Sequence, residues 1–376
     1  MTVVQFLAGL VLLIAGAESL VRGAAGLARL LGVPSIVVAL TVVAYGTGSP
    51  ELAITLQAVS ADRAGLAVGN LVGSNIANVL LILGVAGLLA PIAVKSRLVR
   101  IDVPIMIALS VLVVVLALDG GLGRIDGALL VFCGGLYTWL LIRARPREPK
   151  RRQLTATKRT PRSLASRALL VLVGLGLLVL GARWLVDSAT ELARALGLSD
   201  LIIGLTLVAL GTSLPELATT TIAVRRGERD IAVGNAIGSN IVNLALILGL
   251  AGLVSSRPLP VPDSLLHVDL PIMLAASVAC LPIFFTGWAI ARWEAALFVG
   301  YYCAYLLFLT LDAASHDAAP AFNAAMLAFV IPVTVLTLAI LSTRALGEGN
   351  RPHVEHLGAR LRHGHDADEH EPDRER

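Results

Sequence analysis

Gly46-Thr47-Gly48-Ser49-Pro50-Glu51-Leu52 and Gly211-Thr212-Ser213-Leu214-Pro215-Glu216-Leu217 are two copies of one pattern, each inside a long apolar segment. Each copy sets a glutamate beside a proline. A carboxylate at the centre of a bilayer costs about 2.5–3.5 kcal/mol on insertion scales, so such a residue is a functional-site candidate by default. Proline has no N–H and leaves the carbonyl four residues back without its helical partner. Those carbonyls belong to Gly46 and Gly211. Carbonyl oxygens, a threonine hydroxyl and a carboxylate are hard ligands, the set that suits Na⁺ and Ca²⁺.

The duplication extends well beyond these stretches. Thr41 to Val59 matches Thr206 to Val224, 165 residues on. At the same offset Ala67-Val68-Gly69-Asn70 matches Ala232-Val233-Gly234-Asn235, and Gly73-Ser74-Asn75-Ile76 matches Gly238-Ser239-Asn240-Ile241. Asn78 matches Asn243, and further on Asp102, Met106 and Tyr137 match Asp269, Met273 and Tyr305. Such self-similarity sets the architecture. It predicts a first repeat over 1–145, a basic linker over 146–166, a second repeat over 167–312, an extra helix over 320–343 and a polar tail over 344–376.

The chain of 376 residues is 56% hydrophobic and 15% charged, with a mean hydropathy of +0.82. Soluble domains run near 25% charged. The pattern is that of an all-α integral membrane protein, since the apolar runs reach the ~20 residues a spanning helix needs. Five spans are expected near 3–21, 34–60, 66–90, 101–118 and 125–142, and five near 168–186, 200–224, 231–254, 268–287 and 293–311. An odd number per half turns the second half upside down, giving two inverted-topology repeats of five helices, ten core helices in all, with an eleventh near the C-terminus.

Charge distribution assigns the sides. The net charge of +4 is concentrated in loops, a topology signal and no nucleic-acid footprint. Residues 143–167 carry Arg143, Arg145, Arg147, Lys150, Arg151, Arg152, Lys158, Arg159, Arg162 and Arg167, so this loop is expected in the cytoplasm. Alternation then places Arg22, Arg29, Lys95, Arg97, Arg100, Arg225, Arg226 and Arg229 on the same side, with the N-terminus outside and the C-terminal tail inside. Cys133, Cys280 and Cys303 sit in apolar runs and predict no disulfide framework. The tail histidines, His353 to His370, read as part of a solvated segment.

Within each half the proline suits the first turn of a helix. A break is expected near Gly46 and Gly211, with a restart at Pro50 and Pro215 that puts Glu51 and Glu216 in the first turn. Carboxylates are favoured there, and the preceding carbonyl end favours a cation. Ser74 with Asn78, and Ser239 with Asn243, share a helix face in the next span. Asn70, Asn75, Asn235 and Asn240 are expected to cap or bridge broken helices. Asp102 and Asp269 fall at span ends, where capping or a gate salt bridge is the expectation. No His-Glu-x-x-His pattern and no nucleophile–histidine pair point to an enzyme.

On these residues the chain resembles the calcium/cation antiporter superfamily, and within it the prokaryotic sodium/calcium exchangers. Their two repeats carry Gly-Thr-Ser-x-Pro-Glu followed by Gly-Ser-Asn-Ile-x-Asn. The resemblance implies a multi-pass protein of the plasma (inner) membrane that exchanges Na⁺ for Ca²⁺ by alternating access and holds no cofactor. It implies ligands from the Ala44 carbonyl, Thr47, Glu51, Ser74 and Asn78, and from the Ala209 carbonyl, Thr212, Ser213, Glu216, Ser239 and Asn243. The first copy departs from the pattern, with Gly48 where the family has a serine and Ser49 displaced by one position. Some members carry an aspartate where this chain has Asn243, so the core here holds two carboxylates. A Ca²⁺/H⁺ antiporter using the same glutamates is the alternative, since a proton needs no hydroxyl ligand. K⁺ dependence and oligomeric state are left open.

Overall fold

Pro50 and Pro215 interrupt their helices as the sequence requires, but two residues later than expected. The computed structural model describes residues 2–61, 63–143, 160–195, 209–285, 287–313 and 324–347. Helix α1 spans Thr2–Leu31, and α2 (Ser35–Thr47) and α3 (Ser49–Ser60) form one span bent by 42°. The break falls at Gly48 (φ −76°, ψ 1°), not at Gly46. Gly48 N–H still reaches the Ala44 carbonyl (3.1 Å), so the helical ladder runs on until the proline removes a donor. The freed Gly46 carbonyl accepts the Ser49 hydroxyl at 2.7 Å and is thereby satisfied locally.

The first half continues with α4 (Ala64–Leu89), α5 (Leu98–Asp119) and α6 (Arg124–Arg143). The second half repeats the plan with α7 (Pro161–Ala195), α8 (Ala209–Thr212), α9 (Leu214–Arg225), α10 (Arg229–Val254), α11 (Leu265–Phe285) and α12 (Arg292–Ala313). Its break falls at Ser213 (φ −89°, ψ 2°), the equivalent of Gly48, again two residues past the expected glycine. Residues 144–159, most of the expected linker, and 196–208, the start of the second broken span, lie outside the described residues.

Both first spans are longer than their apolar runs suggested, because the polar and arginine-bearing flanks of α1 and α7 stay helical. Helix α7 begins at Pro161, inside the stretch read as linker, and Thr160 caps it by accepting the Ser163 N–H at 3.1 Å. An α13 follows over Met326–Val330 and Ile331–Gly347, and Tyr301 of α12 donates to Thr334 at 2.7 Å. The tail from 348 lies outside the described residues.

Glycines decide which helices meet. Gly9 and Gly16 of α1 face Gly181 and Gly174 of α7, and Gly23 meets Val171 and the Arg167 carbonyl, so closely that a methyl on Gly16 would sit 2.7 Å from the Leu178 nitrogen. Seven-residue spacing keeps these glycines on one seam, and small residues let two backbones approach. Elsewhere the halves exchange partners: Gly84 and Gly87 of α4 pack on Ala295 and Val299 of α12, while Gly249 and Gly252 of α10 pack on Gly127 of α6. Helices α4 and α10 are consequently the centre of the bundle, with 78% of their apolar windows buried against 22–39% for the other spans.

The inversion is visible at the surface. Strand β1 (Ile92–Ala93) follows the third span of the first half and pairs antiparallel with β4 (Ala289–Ile290), which follows the fourth span of the second. Strand β2 (Gly121–Leu122) pairs with β3 (Leu259–Pro260) in the reciprocal arrangement. Loops after unlike spans can share a face only if the halves run in opposite senses. Ion pairs gather the arginine-bearing loops on the β1–β4 face: Arg226 with Glu18, Arg29 with Glu228 (3.3 Å) and Lys95 with Asp230 (2.5 Å).

Candidate cation site

The restarted helices α3 and α9 carry their prolines in the first turn and Glu51 and Glu216 directly behind them. The fold brings the two carboxylates into each other's field at the centre of the bundle, each 1% exposed. Thr47, Ser74, Asn78, Thr212, Ser213, Ser239 and Asn243 are all 5% exposed or less. Ser74 Oγ and Thr212 Oγ1 stand 3.4 Å apart across the halves. Ala44 lies in the last turn of α2, where its carbonyl keeps the Gly48 N–H, and Ala209 opens the short α8.

Asparagines organise the centre in a way that sequence reasoning missed. Asn78 Nδ2 donates to Asn240 Oδ1 (2.9 Å), and its counterpart Asn243 Nδ2 donates to Asn75 Oδ1 (3.1 Å). Asn240 Nδ2 also reaches the Asn75 carbonyl (3.3 Å), and Ser110 faces its equivalent Ser277 at 3.4 Å. Asn75 and Asn240 therefore tie the two repeats together about the pseudo-two-fold axis and cap no broken helix. The signal was present in the matched Asn-x-x-Asn spacing, but only the inversion reveals that each copy completes the other. Asn78 and Asn243 also begin π-helical turns, Asn78–Leu83 and Asn243–Ile247, and such wide turns occur often at functional sites.

Because the amide nitrogens are spent on this cross, the amide oxygens are left over. Asn78 Oδ1 and Asn243 Oδ1 have no hydrogen-bond partner among the described residues. The same is true of Glu51 Oε2, both carboxylate oxygens of Glu216, Ser213 Oγ and Ser239 Oγ. Buried polar atoms are nearly always paired, and an unpaired one costs roughly 1–3 kcal/mol, more if charged. Seven unpaired buried oxygens, carboxylate, amide and hydroxyl, are a donor set suited to a cation. Among the described residues no cluster of three or more His, Cys, Asp or Glu occurs, so the oxygen set rests on two carboxylates and neutral groups.

Gly48 lies against this set. A Cβ there would stand 3.1 Å from the Ala44 carbonyl oxygen and 3.8 Å from Asn243 Oδ1. Ser49 is exposed and turned back to Gly46, so it does not take over the missing hydroxyl. The other paired acids stand apart from the centre. Asp102 accepts from Tyr137 (3.0 Å) and Asp269 from Tyr305 (2.7 Å), each joining the fourth and fifth spans of its half. Arg97 approaches Asp102 only to 3.9 Å, so tyrosine is the principal partner where a cap or gate salt bridge was expected. Asp126 and Glu294 cap α6 and α12 by accepting the N–H of Gly123 and Ala291, both at 2.8 Å.

A family model described as sodium/calcium exchanger protein matches residues 1–143 and 166–311. The putative antiporter CaxA of Alkalimonas amylolytica is 38% identical over 281 residues, 73% of this chain and 87% of that protein. The sodium/calcium exchanger MaX1 of Methanosarcina acetivorans is 36% identical over 340 residues, 81% of this chain and 97% of that protein. A solved structure of the sodium-calcium exchanger NCX_Mj superposes with a TM-score of 0.70 at 31% identity, covering 80% of this chain and 96% of that one. With both repeats matched and the fold shared along their length, the chain belongs to the sodium/calcium exchanger family of multi-pass membrane antiporters, and is no enzyme.

Proposed function

We propose that this protein exchanges Na⁺ for Ca²⁺ by alternating access at the Glu51–Glu216 centre. The observation that carries the reading is the set of unpaired buried oxygens on Glu51, Glu216, Ser213, Ser239, Asn78 and Asn243. Their formal charge of −2 balances one Ca²⁺ or two Na⁺. Occupancy by one cation excludes the other, and exclusion couples the two fluxes. An empty, doubly charged site is costly to carry through a dry intermediate, which suppresses leak. Thr47, Thr212, Ser74 and the Ala44 and Ala209 carbonyls complete the ligand set. The basic β1–β4 face lies in the cytoplasm by the positive-inside rule, with the N-terminus outside, and α13 adds an eleventh span.

Ca²⁺ uptake into Na⁺-loaded proteoliposomes tests this. Uptake should require the outward Na⁺ gradient and vanish in both Glu51→Gln and Glu216→Gln. Gly48 favours a second reading, Ca²⁺/H⁺ exchange, because it leaves the first half one hydroxyl short of the second. Uptake indifferent to Na⁺ and driven by a pH gradient would establish that alternative.

A further inference from the structure

The asparagine cross obeys the two-fold relation between the halves; the Asn–Thr pairs on either side of it do not. Asn235 of α10 joins three elements. Its Nδ2 donates to Thr220 Oγ1 (3.1 Å) and to the Glu216 carbonyl (3.4 Å) of α9, and its Oδ1 accepts the Thr47 hydroxyl of α2 (3.2 Å). The equivalents in the first half are Asn70 and Thr55. Asn70 Nδ2 and Thr55 Oγ1 are both buried and both without a hydrogen-bond partner among the described residues. Asn235 is fully buried, whereas Asn70 is half-buried.

The two pairs look toward opposite faces. The turn after α9 is held on the basic face by the Arg226–Glu18 and Arg29–Glu228 pairs. The turn after α3 lies on the other face, where Gly65 is 3.8 Å from Pro260 of β3. On the basic side α10 is also in tight contact with α2, with methyls on Gly234 and Gly238 falling 2.6 Å from Ala39 Cβ and 2.9 Å from Ala44 Cβ. The basic side is thus sealed by a hydrogen-bonded bridge over close backbone packing, and among the described residues the chemically identical bridge on the far side is unmade.

We infer that Asn235–Thr220 and Asn70–Thr55 are alternating clamps: the first closes the path to the basic face in this conformation, and the second closes the path to the opposite face when the first has opened. The inference rests on the antiporter reading for the existence of a second state. Neither pair is a cation ligand; each positions the helices that carry one. The Thr47 hydroxyl links clamp to site, since it donates to Asn235 in this state and belongs to the proposed ligand set. By the inverted repeat, Thr212 would serve Asn70 in the other.

Single cysteines one turn beyond each clamp read this out directly. Ala223 follows Thr220 by three residues on α9, and Ala58 follows Thr55 by three on α3. In a background lacking Cys133, Cys280 and Cys303, Ala223→Cys and Ala58→Cys are labelled in membrane vesicles with an impermeant thiol reagent from each side. Removing one hydrogen bond with Thr220→Val should speed labelling at 223 from the basic face by roughly fivefold and slow it at 58. Thr55→Val should do the opposite. Asn235→Ser, too short to reach Thr220, should reproduce the Thr220→Val shift and guards against an idiosyncrasy of one variant. Unchanged rates in Thr220→Val, or rates that move in the same direction in both threonine variants, overturn the clamps. Labelling needs no transported ion, so a failure of Ca²⁺ exchange would leave this result standing and would count only against the antiporter reading.

Discussion

Glu216→Gln separates a cation site from a merely buried acid. Both carboxylate oxygens lack a hydrogen-bond partner among the described residues and the side chain is 1% exposed, so little beyond the helix N-terminus offsets the charge. At an effective dielectric near 20, two unit charges about 4 Å apart attract by about 4 kcal/mol. The substitution removes that attraction once for Na⁺ and twice for Ca²⁺, while the amide keeps one oxygen for the ion. The lost attraction is about 4 kcal/mol for Na⁺, ~10³-fold in affinity, and about twice that for Ca²⁺, so Ca²⁺ affinity should fall far more steeply than Na⁺ affinity. Ion-free stability should move the other way, because a neutral amide is less costly to bury than an unpaired carboxylate. The assay is thermal melting of the purified protein in detergent across a Ca²⁺ titration. At a hundred times its dissociation constant, a ligand adds about 2.7 kcal/mol to the native state. Wild type should show that gain as an upward shift of the melting temperature. Glu216→Gln should start higher without ions and gain almost nothing over the same Ca²⁺ range. A variant that kept the full Ca²⁺-dependent shift would refute the electrostatic argument.

Other substitutions probe separate parts of the structure. Gly48→Ser puts a hydroxyl beside Ala44 O and Asn243 Oδ1, so Na⁺ should compete with Ca²⁺ at several-fold lower concentration; an unchanged competition curve would show that the hydroxyl does not reach the ion. Asn78→Ala deletes a site oxygen and strands Asn240 Oδ1, whereas Asn240→Ala leaves every site oxygen in place and removes the amide that accepts from Asn78 and donates to the Asn75 carbonyl. Both should cost roughly 1–3 kcal/mol in stability, but only the first should weaken Ca²⁺ binding strongly in a direct titration. Gly16→Leu forces a side chain into the α7 backbone and should abolish the monodisperse peak in size-exclusion chromatography, whereas the same change at Gly176, which packs against nothing within 4 Å among the described residues, should preserve it.

What could be read from the chain was what repeats make redundant. The matched Pro-Glu stretches, the Asn-x-x-Asn spacings and the alternation of arginine-bearing loops predicted the inverted halves, and Glu51, Glu216, Thr47, Thr212, Ser74, Ser213, Ser239, Asn78 and Asn243 are all buried. The position of the break was misjudged because a proline removes a donor four residues downstream of the carbonyl it orphans, and the chain at Gly46 remains helical with Ser49 closing the gap. The asparagine cross was invisible because each of its bonds spans more than 160 residues, and local pattern reading cannot pair Asn78 with Asn240. Contacts of Tyr137 with Asp102 and of Tyr305 with Asp269 were hidden for a gentler reason: tyrosine near a span end reads as an interfacial anchor until the fold turns it inward.

The asparagine cross has a consequence for the polarity of the centre. An amide with an unengaged nitrogen can turn over, and an arriving cation must then reorient it before the oxygen serves. Here Asn78 and Asn243 are held oxygen-inward because their nitrogens are engaged by Asn240 and Asn75 of the opposite repeat. Neither half can set the polarity of its own amide. The oxygen-inward polarity of the centre therefore belongs to the two repeats together, and a change at Asn75 or Asn240 acts on the amide of the opposite half.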